Sequence, residues 1–199
     1  MATVVADTEE FEVREGWEFE PHPWRRYGAR IIDISLFSFV FFFAFGLLSA
    51  ALFPALLPYA LQPPLWFTIL VEIPLSIVTS SICIAFCHAF WGSTLGKWIF
   101  RLRIEAADGR RLSLGAALLR ECYLVPLGYA FGLPLLSLLT LAMGYNDLEN
   151  DGETRWDRAV GARPVARIIS GIGYAWLVVG AALAIGAKVL GMIGIMGGH

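Results

Sequence analysis

The sequence predicts an all-α membrane protein, a small bundle of transmembrane helices with a candidate re-entrant helical hairpin and a short cytoplasmic β-hairpin. Composition points there first: 57% of the 199 residues are hydrophobic, 16% are charged and the mean hydropathy is +0.65. A soluble domain carries far more charge. Charge spacing is the second observation. No Asp, Glu, Lys or Arg occurs from Ile34 to Val71, Ile73 to Gly96, Cys122 to Asn146 or Ile168 to Ala187. Each of these stretches reaches the roughly 20 residues that a helix needs to cross about 30 Å of hydrocarbon.

Residues 1–23 form an acidic segment, with Asp7, Glu9, Glu10, Glu12, Glu15, Glu18 and Glu20 set against Arg14. So many like charges favour a solvated, flexible tail. A secretory signal would open with a basic region, so this segment is expected to be retained. His22-Pro23-Trp24-Arg25-Arg26-Tyr27 then joins aromatic rings to arginines, the pattern of a headgroup anchor, and introduces a helix from about Arg26 to Leu52. Pro54, Pro58, Pro63 and Pro64 end it and make a short, uncharged connection.

A second helix is expected from about Trp66 to Phe90, returning the chain to its starting side. Beyond it Phe100, Leu102 and Ile104 alternate with Arg101, Arg103 and Glu105, and Asp108-Gly109 offers a turn toward Leu112 and Leu114. That alternation predicts a β-hairpin at the interface. The stretch from Ala116 to Tyr145 is interrupted by Pro126, Gly128, Gly132 and Pro134. It reads either as one kinked span or as two half-helices around a Gly128 to Gly132 turn. Residues 24–165 make up the membrane domain. The last segment, 166–199, is expected to be a Gly/Ala-rich helix from about Arg167 whose Gly171, Gly180, Ala184 and Gly191 admit a close neighbour.

Basic residues set the orientation. Six lie between Lys97 and Arg120, Arg25, Arg26 and Arg30 precede the first span, and the Leu56 to Trp66 connection has none. The N-terminus and the basic middle loop are therefore expected on the cytoplasmic side of a bacterial inner membrane. Counting 116–145 as a single span would put Arg155, Arg158, Arg163 and Arg167 outside. A hairpin keeps them inside and brings Asp157 to the face that holds Arg26, close enough for an ion pair.

Gly92-Ser93-Thr94-Leu95-Gly96-Lys97 resembles a phosphate-binding loop only superficially. That motif has four residues between its glycines and a Ser or Thr after the lysine. Here there are three, and Trp98 follows. It reads as a helix end with a snorkelling lysine. Cys83 and Cys87 lie one helical turn apart, with His88 next to the second, but packing accounts for them; no metal, disulfide or cofactor is expected. Glu72 and Lys188 are candidate intramembrane charges. Arg26 and Asp33, seven residues apart, share one helix face and form either an interfacial anchor or a functional pair.

Three blocks of the sequence are similar to the RDD family of prokaryotic membrane proteins, named for one arginine and two aspartates. They are Trp24-Arg25-Arg26-Tyr27-Gly28-Ala29-Arg30-Ile31-Ile32-Asp33, then Gly92 to Lys97 with Arg101-Leu102-Arg103-Ile104 and Asp108-Gly109, and Arg155-Trp156-Asp157-Arg158-Ala159-Val160-Gly161. The resemblance makes Arg26, Asp33 and Asp157 the motif residues. The family usually has His before the last aspartate, where this chain has Trp156. Sodium/proton antiport has been proposed for some members. The expected function is therefore ion or small-solute transport at the Arg/Asp cluster, or else a non-catalytic accessory subunit of a larger membrane complex. A nucleophile with a nearby histidine is lacking, so an enzyme is not expected. The expected partners are the lipid bilayer and either such a complex or a second copy of the chain, not nucleic acid.

Overall fold

The computed structural model describes residues 17–18, 22–56, 63–167, 175–176, 178–183 and 186. The acidic tail up to Glu15, Pro58, Gly171, Ala184, Lys188 and Gly191 lie outside the described residues. Among the described residues two helices are long and apolar enough to cross a membrane: α1, Pro23–Leu52, and α2, Leu65–Trp91. Pro23 starts α1, where a missing N–H costs nothing and the fixed φ suits a first turn. Within α2, Thr68–Glu72 is a π-helical turn ahead of Pro74, whose ring displaces the carbonyl it would otherwise face and whose nitrogen donates nothing. Gly92, at φ 74°, closes α2 in the left-handed region, its N–H on the His88 carbonyl.

Thr94 caps the short α3, Leu95–Ile99, and strand β2 follows at Leu102–Ala106. Ser113 caps α4, Leu114–Tyr129, by accepting from the Ala116 N–H at 3.2 Å. Helix α5, Pro134–Asp151, then runs to α6, Arg155–Arg158, and strand β3, Ala162–Arg167. With β1, Trp17–Glu18, the strands form an antiparallel sheet in the order β1-β3-β2, with Leu102 opposite Ala166 and Ala106 opposite Ala162.

The expected β-hairpin is thus corrected. The Asp108-Gly109 turn is present and carries one bridge, Glu105 to Arg111, but α4 is capped at Ser113 and leaves no room for a returning strand. The partner comes instead from β3, which ends at Arg167, the expected start of the last helix; residues 175–176 and 178–183 are helical. The alternation holds, with Leu102 and Ile104 buried and Arg103 exposed.

The stretch 116–145 is two helices, α4 and α5, parted by Ala130, Phe131 and Gly132, all at positive φ. Pro126 and Gly128 lie inside α4, so the turn falls later than the glycine spacing suggested. Leu133-Pro134 restarts the chain, proline again at the first helical position.

The core lies at one end of the bundle. Ala29 and Ile32 of α1 pack on Phe100, Leu102 and Ala166, while Ala85 of α2 and Ala117 of α4 pack on Ile104, Leu112 and Ala162. Glycines permit these contacts. A Cβ on Gly28 would lie 2.5 Å from the Phe100 ring, and one on Gly96 only 2.1 Å from the Ala29 carbonyl oxygen. Gly180 lies against Ile99 and Phe100. Gly96→Ala should therefore lower stability in detergent unfolding by about 1–3 kcal/mol. Gly115→Ala, with open space around it, should be neutral or gain up to about 1 kcal/mol; equal effects at both sites would contradict this packing.

Candidate functional site

Arg26, Arg30 and Asp33 recur at helical spacing on the face of α1 that meets α2 and α3, and Arg30 reaches across to Glu121 of α4. Asp33 is fully buried, and its partners come from the chain entering α3. The Thr94 hydroxyl and the Gly96 N–H, at 2.7 Å, donate to its carboxylate, and Lys97 Nζ lies 3.7 Å away. Gly96 is indispensable to this geometry, since its own Cβ would fall 2.8 Å from Asp33 Oδ1.

Arg26 and Asp33 do not pair with each other. Arg26 Nη2 donates to Asp157 Oδ2, which also accepts from Thr154 Oγ1 at 2.7 Å, while Arg120 Nε donates to Asp157 Oδ1 at 2.7 Å. From Arg120 the network runs to Glu121 at 3.0 Å, and Glu121 takes both terminal nitrogens of Arg30. Arg30 ends it on Ser81 Oγ of α2 at 2.8 Å, with its guanidinium over the Tyr129 ring. Four helices thus converge on one chain of charges: α1, α2, α4 and α6. Because Arg120 near the start of α4 and Asp157 beyond α5 are hydrogen bonded, the helical pair returns the chain to the end it left.

Burial opposes the Asp157 charge, but Arg120 and Arg26, with hydrogen bonds from Thr154 and Arg120, outweigh it and hold the carboxyl at about 2. Burial pushes the Lys97 ammonium down to about 8 in spite of Asp33. Lys97 is therefore a buried cation and does not snorkel to solvent. Arg25, expected at the headgroups, is buried too and donates to the Phe100 carbonyl at 2.8 and 3.2 Å.

A cavity of about 530 Å³ opens beside the network, walled in part by Arg26, Arg30, Lys97, Arg120, Tyr27 and Trp156. Glu72 is half-buried in the π-helical turn of α2 and outside the cluster. Cys83, Cys87 and Cys122 are free thiols, and no group of three metal-ligating side chains occurs among the described residues.

The model of the RDD family matches residues 20–178. The chain belongs to the RDD family. No curated protein and no solved structure matches it. Of the residues that the resemblance makes the motif, Asp33 is held by Thr94 and Lys97, and Asp157 by Arg26 and Arg120. Trp156, where other RDD proteins usually carry His, lies against Gly128 and Gly144. A Cβ on Gly144 would come within 2.9 Å of its ring, so an indole fills the seam between α4 and α5.

Sequence reasoning missed Arg30, Glu121 and Arg120 as members of this cluster. The available signal was the Arg120-Glu121 pair, isolated in an otherwise apolar helix one helical turn from Ala117 and Leu124 of the core.

The folded Asp157 carboxyl lies below its unfolded value of 3.8, so its contribution to stability is present above that value and disappears as pH falls through about 2. Between pH 5 and 2 the native protein should lose about 2 kcal/mol more than Asp157→Asn in detergent unfolding titrations. Parallel losses would show that this carboxyl is not held by its arginines.

Proposed function

We propose that this RDD protein is a multi-pass protein of a bacterial cytoplasmic membrane, N-terminus inside, that moves an ion or small solute past the Arg26–Asp157–Arg120 cluster. Helices α1 and α2, about 45 and 40 Å long, are its spans. The α4–α5 pair is a re-entrant hairpin. Its charge-free parts, Cys122 to Tyr129 and Pro134 to Tyr145, reach only about 12 and 18 Å as helix, short of the roughly 30 Å hydrocarbon. Arg155, Arg158, Arg163 and Arg167 then stay on the side of Arg25, Arg26 and Arg30, in keeping with basic residues remaining cytoplasmic.

The observation that carries the transport reading is the buried charge chain beside an open cavity. Ionisable groups withdrawn from water at a membrane are costly unless paired, and where they persist they commonly mark a solute path. A second reading, a non-catalytic accessory subunit, is favoured by α1 itself. Past Asp33 none of its residues is buried, and Phe39, Phe43, Leu47 and Leu48 face outward. Such a surface suits either lipid or a partner helix.

Flux assays in proteoliposomes separate the two. Wild type should carry an ion or solute gradient, and Asp33→Asn, with its elution and helix content checked, should lose most of that flux. Absence of wild-type flux across the common cations and anions, together with copurification of the protein in a larger complex from mild detergent, would favour the accessory reading.

A further inference from the structure

The walls of the cavity beside the cluster are lopsided in charge. Among the described residues they carry five basic side chains, Arg26, Arg30, Lys97, Arg103 and Arg120, and no acidic one. The carboxylates that pair with them, Asp33, Glu121 and Asp157, lie behind the walls and not in them. Three donors are left over. Lys97 Nζ, Arg26 Nη1 and Arg30 Nε are buried and have no hydrogen-bond partner, although a buried donor normally finds one. Lys97 is more than nine-tenths buried, and its contact with Asp33, at 3.7 Å, is an ion pair without a hydrogen bond. A cation would meet repulsion here. An anion would meet basic side chains whose unspent donors lie beneath the cavity surface, of the kind that guanidinium and ammonium groups offer to phosphate oxygens once they turn to face it.

Leu124, Leu141, Leu148 and the Trp156 ring line the same cavity. A cavity lined by both cationic and apolar side chains fits a charged head on a hydrophobic or weakly polar body. Its volume of about 530 Å³ lies within the roughly 300–1,000 Å³ usual for small-ligand pockets. Basic pockets between helices on the cytoplasmic side of a membrane also hold lipid phosphates.

We propose that this cavity binds a phosphate-bearing anion, the headgroup of an anionic lipid or a soluble phosphoester, on Lys97, Arg26 and Arg30. This inference rests on the reading of the cluster as the solute site and names the class of solute. Asp33 and Asp157 are then positioning residues, which hold Lys97 and Arg26 in the wall. At neutral pH Lys97 is mostly protonated, so the site keeps its charge.

The test uses the full chain purified in mild detergent. In one arm, native mass spectrometry follows lipid retained from phosphatidylglycerol or phosphatidylcholine nanodiscs. In the other, inorganic phosphate and glycerol 1-phosphate are titrated by calorimetry. Binding of phosphatidylglycerol over phosphatidylcholine, with no effect of the soluble anions, identifies the lipid source; saturable binding of a soluble anion identifies the other. In either case Lys97→Gln should weaken binding by about tenfold or more. Arg103→Gln, at an exposed position, should weaken it in the same direction if Lys97→Gln fails to fold. Binding of neither probe, equal retention of both lipids, or affinities unchanged in the folded variants would overturn the proposal. Flux without phosphate binding would overturn it and leave transport standing, whereas phosphate binding without flux would do the reverse.

Discussion

Asp157 is a buried carboxylate on a four-residue helix, and its two oxygens take donors from α1, α4 and its own turn. Removing such a charge from water costs several kcal/mol, which only well-placed partners offset. That constraint dictates much of the remaining architecture. Arg26 and Arg120 must approach a single point although 94 residues separate them in sequence, so α4 and α5 must fold back together and α6 must return to the start of α1. Glu121 and Arg30 extend the same requirement to Ser81 of α2. A buried ionic chain of this kind contributes less to net stability than to selecting one arrangement of helices, since each alternative packing strands at least one charge.

Glycine makes the approach possible. Gly96 lets the turn before α3 touch the backbone of α1, which puts its N–H on Asp33. Gly28 receives the Phe100 ring, and the carbonyl of the same Phe100 is held by Arg25. Gly128 and Gly144 open the seam that Trp156 fills. Polar closure and steric closure thus meet at the same few positions, and loss of either opens the other.

Much of this was legible beforehand. Charge-free lengths located α1 and α2 to within a few residues, and the seven-residue spacing put Arg26 and Asp33 on one face. The conflict between helix counting and the arginines after Tyr145 pointed to a returning hairpin and to an Arg26–Asp157 contact, which is present. What escaped was long-range. Period-two alternation marks a strand without naming its partner, so β2 was paired with its neighbour although Ser113 begins a helix. The turn at Ala130–Gly132 depends on positive φ at two residues that are not glycine, which composition does not announce. Lys97 looked like a helix-end lysine because its burial depends on Asp33, more than sixty residues earlier.

The arrangement sets a basic cavity against a carboxylate framework beside two apolar helices. All of this requires α4 and α5 to return the chain to the side they left. Membrane-impermeant maleimide labelling tests that directly, in a background lacking Cys83, Cys87 and Cys122, with one cysteine introduced at the exposed Arg110 before the hairpin or at Asp151 after it. Both positions should be protected in intact cells and should react in inverted vesicles. Reaction of Asp151→Cys in intact cells while Arg110→Cys stays protected would place the two ends of the hairpin on opposite sides and contradict the arrangement.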